Sequence, residues 1–367
     1  MRRPAGTLML VSGAMLLQLS SAIAIANDVC PNVSPSTIQT PADVKDFVGT
    51  MRLLGTFLAA GFRCCADPIP VQDPARPTPK QWACPPSVPP SRVEAESKCD
   101  NDFSESVGTT CIGKIPGYPE PVAIVVPPKL KEMAQANVLL SMHGDNPDYE
   151  PVDSHIKRRG MPAMLTRTGR NQILVFPAGG SCPNGSHSAY DKNLGNGPGF
   201  EKFMSGIGAL FQKAGISSKP EVGNITIAAH SGSYKALSGI VSSKNAYSDR
   251  VNEVFCFDCM YEDDGVFAKY AKDPRHRFWS VFTGGGKTAH NNRQMRNQLD
   301  VGKEPYYFGC DVYAGCDEDK PGFTRNPGVS HASPSDYKAN RIGFLYTDEG
   351  HGNVPTAYLE GMLKGSP

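Results

Sequence analysis

Four places in the 367-residue sequence carry the residue types that acyl-transfer chemistry needs. Ser231 lies among small residues in Ala229-His230-Ser231-Gly232-Ser233, directly after the β-branched run Ile225-Thr226-Ile227. Asp258 closes the apolar run VNEVFCFD, His351 follows RIGFLYTDEG, and His143-Gly144-Asp145 follows VLLSM. A hydroxyl nucleophile requires an imidazole to take its proton, a carboxylate to orient that imidazole, and N–H donors for the oxyanion. Each requirement has a candidate: Ser231 as nucleophile, His351 as base, Asp258 as acid. Gly232, at the start of a helix where free amides favour negative charge, and the Gly144-Asp145 loop are the candidate oxyanion donors.

Other residues compete for these roles. Eight histidines are present. His230 adjoins the serine, but neighbours in such a turn point apart, so it is expected to pack under the turn. His290 and His331 are expected in solvated loops. Asp263 or Asp264 could replace Asp258 as the acid, and Asp348 or Glu349 could orient the base instead. An Asp at a strand end also serves as a turn former or helix cap.

These residues need strands that deliver them to one edge. Short apolar runs recur at AIVV (123–126), VLLSMHG (138–144), ILVFPAGG (173–180), ITIAAHS (225–231), VNEVFCFD (251–258), FWSVFTGGG (278–286) and RIGFLYTDEGH (341–351). Between two of them, Phe200, Phe203, Met204, Ile207, Leu210 and Phe211 mark an amphipathic helix that ends at Gly215. Buried runs alternating with helices imply a mostly parallel sheet covered on both faces. Its ligand site lies at the carboxyl ends of the strands, where the four candidates stand.

From residue 121 to the C-terminus the chain resembles the α/β-hydrolase superfamily, whose triad runs Ser, Asp/Glu, His in chain order. The family's G-x-S-x-G elbow reads Ala229-His230-Ser231-Gly232-Ser233 here. Ala meets the demand for little bulk, and Ser233 departs from it. The resemblance places the acid after one of the two strands that follow the elbow. FWSVFTGGG ends in three glycines with no carboxylate nearby, which leaves Asp258. The family's base falls after the last strand, at His351, and its second oxyanion donor in the loop at 143–145. What the resemblance implies is an α/β-hydrolase-like, doubly wound, mostly parallel sheet over 121–367, and a serine esterase, amidase or peptidase working through an acyl-enzyme.

The N-terminus reads differently. Arg2 and Arg3, the apolar run Leu8 to Leu19, and Ala24-Ile25-Ala26 describe a signal peptide over 1–26. All eleven cysteines follow it, and in an exported chain they read as disulfides. Residues 27–120 are expected to form a Pro/Cys-rich extension with one helix over 40–62, where Thr40 caps and Pro41 starts the first turn. No later stretch approaches the length of a membrane span. A net charge of +1 and the lack of a basic block point away from nucleic acid. No cofactor or metal is called for. FTGGGKT fails the Walker A spacing because position 281 is Val, and the C-x-x-C at Cys256 to Cys259 begins inside an apolar strand, as a buried thiol or structural bridge would.

Only 27 positions separate Ser231 from Asp258, too few for a cap domain. The interval from Gly286 to Arg341 is expected as a pinned loop near the cleft, and 179–199 as a second, polar one. Neither offers a broad apolar lid. The substrate is therefore expected to be a polar ester or amide, a small molecule or part of a polymer. A secreted binding protein that keeps the fold without catalysis is the alternative.

Overall fold

The computed structural model describes residues 53–66, 108–128, 130–145, 151–179, 188–284, 286–311 and 332–366. The expected leader and the first part of the expected 40–62 helix lie outside the described residues; the part within them, α1, is helical over 53–59.

The apolar runs become strands because a side chain on either face finds a covered core. The strands are β1 (Arg63–Ala66), β2 (Thr109–Gly113), β3 (Val122–Val126), β4 (Val138–Met142) and β5 (Ile173–Pro177). They continue with β6 (Ile225–His230), β7 (Val251–Phe257), β8 (Arg277–Thr283), β9 (Tyr307–Asp311) and β10 (Ile342–Thr347). Among the described residues they form one ten-stranded sheet in the order β1-β2-β3-β5-β4-β6-β7-β8-β10-β9. The pairs β1–β2, β2–β3 and β3–β5 are antiparallel, and every pair from β5 to β9 is parallel.

Side chains alternate between two cores, as the period of a strand requires. Val138, Leu140, Ile225, Ile227, Val254, Phe278 and Phe344 enter one, while Leu139, Ala228, Phe255, Phe257, Trp279 and Leu345 enter the other. The second core is covered by α2 (Val152–Arg158), α3 (Met161–Thr168), α9 (Pro334–Ala339) and α10 (Val354–Gly365). The first is covered by α4 (Ser188–Asn193), α5 (Gly197–Lys213), α6 (Tyr234–Ser242), α7 (Asp264–Lys272) and α8 (Gly286–Gly302). This is the doubly wound, mostly parallel, α/β-hydrolase-like fold.

The structure departs from expectation in two places. The sheet crosses the anticipated boundary at 120/121, since β1 and β2 lie before it and extend the sheet's antiparallel edge. Cys64 and Cys111, register partners on these strands, are joined by a disulfide. The interval from 286 to 341 is not a loop throughout: it contains α8, the edge strand β9 and α9, with 312–331 outside the described residues. His290 accordingly sits exposed on α8 rather than in a loop, and His331 lies outside the described residues. Within 179–199, residues 188–193 are helical and α5 begins at Gly197.

Candidate active site

β6 ends at His230, and the chain turns through a 3-10 segment, Ser231–Ser233, into α6. Ser231 occupies the left-handed region, with φ 52°, a conformation that costs an L-residue roughly 1–2 kcal/mol. Such strain persists only where surroundings impose it, and here the side chain of Ser233 helps to do so. Its Oγ accepts from the His230 N–H at 2.9 Å and donates to the His230 carbonyl at 2.8 Å. The residue that departs from the glycine of the elbow pattern therefore closes the turn with its hydroxyl. It does so with no exposed surface and an ordinary φ of −72°.

Ser231 Oγ lies 2.8 Å from His351 Nε2, and His351 Nδ1 lies 2.6 Å from Asp258 Oδ2. The structure thus brings together Ser231, His351 and Asp258 from the ends of β6, β10 and β7. Asp258 is itself in the left-handed region, φ 44°, with its N–H on the Val281 carbonyl. The register that opposes Phe257 to Val281 puts Thr283, the last residue of β8, beside the carboxylate. Thr283 donates its N–H to Oδ1 at 3.2 Å and its hydroxyl to Oδ2 at 2.8 Å. Burial pushes the Asp258 carboxyl up, but hydrogen bonds from His351, Thr288 and Thr283 together outweigh it and hold the group below its ordinary range. The carboxylate is 3% exposed and the imidazole 43%, so an ionised, buried carboxylate holds an imidazole that remains open to solvent.

A disulfide between Cys256 and Cys259 spans the Asp258 turn, with both residues fully buried. Of the alternative acids, Asp264 accepts from Gln298 on α8, and Asp263 stands at the N-cap position of α7 in the left-handed region. Neither meets His351. Nor do Asp348 or Glu349 take the Nδ1 position, which Asp258 fills.

The loop after β4 abuts the serine. A Cβ on Gly144 would fall 2.5 Å from Ser231 Cβ and 3.1 Å from its Oγ, so only glycine fits. The loop is braced from behind. His143 Nε2 accepts from the Gly179 N–H at 2.8 Å, so its Nδ1 carries the proton and donates to the Gly144 carbonyl at 2.6 Å. The buried Tyr190 hydroxyl sits 3.4 Å from the His143 N–H and donates to the Pro177 carbonyl at 2.6 Å. Gly232 follows Ser231 at the start of the 3-10 turn, and Asp145 is exposed beside Gly144.

Several residues at this centre carried no signal in the sequence. Thr283 and Thr288 hold the acid. Tyr261, half-buried three positions after Asp258, has a hydroxyl that burial pushes up and the nearby Ser231 side chain pulls back down, and its ring packs on Tyr234 with centroids 5.7 Å apart. The Thr288 of the rejected FTGGGKT motif thus belongs to the acid's surroundings. By contrast, the buried Glu253 near the start of β7 is neutralised by Arg170 at 3.1 Å and Arg277 at 3.3 Å, a structural pairing. Among the described residues no three His, Cys, Asp or Glu side chains form a metal-binding group, and no helix is long and apolar enough to cross a membrane.

No family model and no curated protein matches the chain. Solved structures similar to it include a ferulic acid esterase (12% identity, TM-score 0.41, covering 70% of this chain and 95% of that one). An S-formylglutathione hydrolase from Agrobacterium tumefaciens is similar too (12% identity, TM-score 0.40, 71% and 96%). So is a poly(aspartic acid) hydrolase from Sphingomonas (10% identity, TM-score 0.40, 70% and 98%). Likeness at this level leaves the activity to be read from this chain's own residues.

Proposed function

We propose that this chain is an exported serine hydrolase that cleaves a polar ester or amide through an acyl-enzyme on Ser231. One observation carries the reading: the unbroken run of hydrogen bonds from Ser231 Oγ through the His351 ring to an ionised, buried Asp258, at 2.8 and 2.6 Å. In this reading Ser231 Oγ attacks the substrate carbonyl carbon as His351 Nε2 takes its proton. Asp258, accepting from Nδ1–H, keeps the imidazole in the tautomer that leaves Nε2 free to accept, and stabilises the imidazolium that forms. Backbone N–H groups of Gly232 and of the Gly144-Asp145 loop receive the oxyanion. His351 then returns the proton to the leaving alcohol or amine, and a water activated by the same ring hydrolyses the ester to Ser231.

The polar composition of residues 179–199 supports a polar substrate. The Arg2-Arg3 leader pattern and the disulfides Cys64–Cys111 and Cys256–Cys259 support export. Sequencing of the mature protein should return Asn27 as its first residue; an intact Met1 terminus on protein recovered from the cell exterior would contradict the leader.

A fluorophosphonate probe tests the nucleophile. The folded wild-type protein is expected to label stoichiometrically and Ser231→Ala not at all. A folded wild-type chain that never labels, or a Ser231→Ala variant that labels as well, defeats the proposal.

A further inference from the structure

His230, last residue of β6, takes no part in the proton path, yet its ring is 6% exposed and faces the base. Its Nε2 stands 2.9 Å from the backbone carbonyl of His351. A carbonyl only accepts, so Nε2 must carry the proton and donate it. Nδ1 is then the unprotonated nitrogen, and it faces the loop that carries Gly144. It lies 2.9 Å from where a Gly144 Cβ would stand. Burial foremost, with Arg159 and His351 close by, pushes this imidazole well below the ordinary histidine range, so it is neutral. The two histidine rings pack with centroids 4.8 Å apart, inclined at 36°.

The topology explains why such an anchor matters. In the sheet, β10 is separated from β6 by β7 and β8, so the loop bearing His351 must reach back across two strand ends to meet Ser231. Its side chain is partly open to solvent, and Asp258 fixes only the ring, through Nδ1. The backbone of the same residue needs its own tether if Nε2 is to stay within reach of Ser231 Oγ.

We propose that His230 is a positioning residue for the base: by donating Nε2–H to the His351 carbonyl, it ties the base-bearing loop to the elbow and sets the distance between nucleophile and base. This rests on the serine hydrolase reading above. The chain neighbour of the nucleophile and the nucleophile itself grip the same histidine, one by its backbone and the other by its ring. Loss of the tether alters alignment rather than substrate binding, so kcat falls while KM holds. Misalignment of reacting groups by about 1 Å costs up to ~100-fold, and loss of this one bond is expected to cost roughly 10- to 100-fold.

The test compares three variants by steady-state hydrolysis of p-nitrophenyl acetate, rate of fluorophosphonate labelling, and thermal melting. His230→Leu removes the donor. His230→Gln places an amide N–H2 where Nε2 was, whereas His230→Asn has an amide too short to reach the His351 carbonyl. The proposal expects His230→Leu and His230→Asn to lose kcat and labelling rate in parallel at unchanged KM, and His230→Gln to recover to within a few-fold of wild type. Equal rates for folded Gln and Asn variants overturn it, and so does a His230→Leu variant within threefold of wild type. Should His230→Leu not fold, the Gln-against-Asn comparison decides alone. A wild-type protein that neither labels nor turns over fails the underlying serine hydrolase reading instead, an outcome visible before any His230 variant is made.

Discussion

Gly144→Ala tests the site most directly, because its consequence follows from the distances between the Gly144 loop and the elbow. The added Cβ would meet Ser231 Cβ at 2.5 Å, His230 Nδ1 at 2.9 Å and Ser231 Oγ at 3.1 Å. Carbon atoms rest at about 3.5–4.0 Å, so relief requires the loop and the elbow to separate by roughly 1 Å. Neither side yields easily. The loop is held by His143 through Gly179 and by Tyr190, and the elbow is closed by Ser233 and tied to His351 through His230. A shift of about 1 Å between an oxyanion donor and the attacked carbonyl is comparable to losing the donor, which costs roughly 100- to 1000-fold in kcat. At 1.36 kcal/mol per factor of ten, that is about 2.7–4 kcal/mol of transition-state stabilisation. Overpacking should also lower stability by about 1–3 kcal/mol. Steady-state hydrolysis of p-nitrophenyl acetate, paired with thermal melting of the same sample, measures both. A Gly144→Ala variant that keeps kcat within threefold and melts at the wild-type temperature would refute the close approach of Gly144 to Ser231, and with it the proposed oxyanion site.

Three further substitutions, at two positions, follow from the same geometry. Asp258→Asn should cut kcat by roughly 10^3- to 10^4-fold, since an amide opposite Nδ1 favours the wrong tautomer of His351; an activity within tenfold of wild type would remove Asp258 from the site. The same variant carries a pH signature. The folded-state pKa of Asp258 is depressed, so its ionised form contributes stability that is present above about pH 4 and lost as pH falls through the folded value; the melting gap between wild type and Asp258→Asn should narrow on acidification. Ser233→Ala strips the buried His230 N–H and carbonyl of their hydroxyl partner, at about 1–3 kcal/mol. Ser233→Gly, although it restores the familiar pattern, should be no more stable than Ser233→Ala in a denaturant melt, and a clear gain would contradict the bridging role of the hydroxyl.

The parts of the molecule legible in the sequence are those in which apolar side chains do the positioning. β4, β6, β7 and β10 are buried almost throughout, and a strand sealed on both faces leaves a continuous apolar run. That pattern alone sets Ser231, Asp258 and His351 just beyond the ends of strands. Helix α8 left no such trace. Its buried positions are Thr288, Asn292, Met295, Arg296 and Leu299, and Arg296 spends its cation on the face of Phe308 in β9, 3.9 Å from the ring centroid. An element that packs through polar residues and a cation on an aromatic ring has no hydrophobic period to find. The surroundings of the acid were hidden for another reason. Thr283 reaches Asp258 only because β7 and β8 pair with Phe257 opposite Val281, and register between strands is a property of the assembled sheet.

The elbow shows how a local departure from pattern can still satisfy the physical demand beneath it. A glycine after the nucleophilic turn is favoured because it has no bulk, but what a buried turn must also provide is a partner for every backbone N–H and carbonyl it encloses. At Ser233 a hydroxyl supplies two such partners to His230 at once. His230, held in this way, presents its ring to the His351 carbonyl. The serine that looked like the weak position of the motif therefore steadies the residue that tethers the base. A reading that scores each position by its bulk alone treats Ser233 as a defect. Counting hydrogen bonds makes it the first link in a chain that runs from the turn through His230 to His351 and back to Ser231 Oγ.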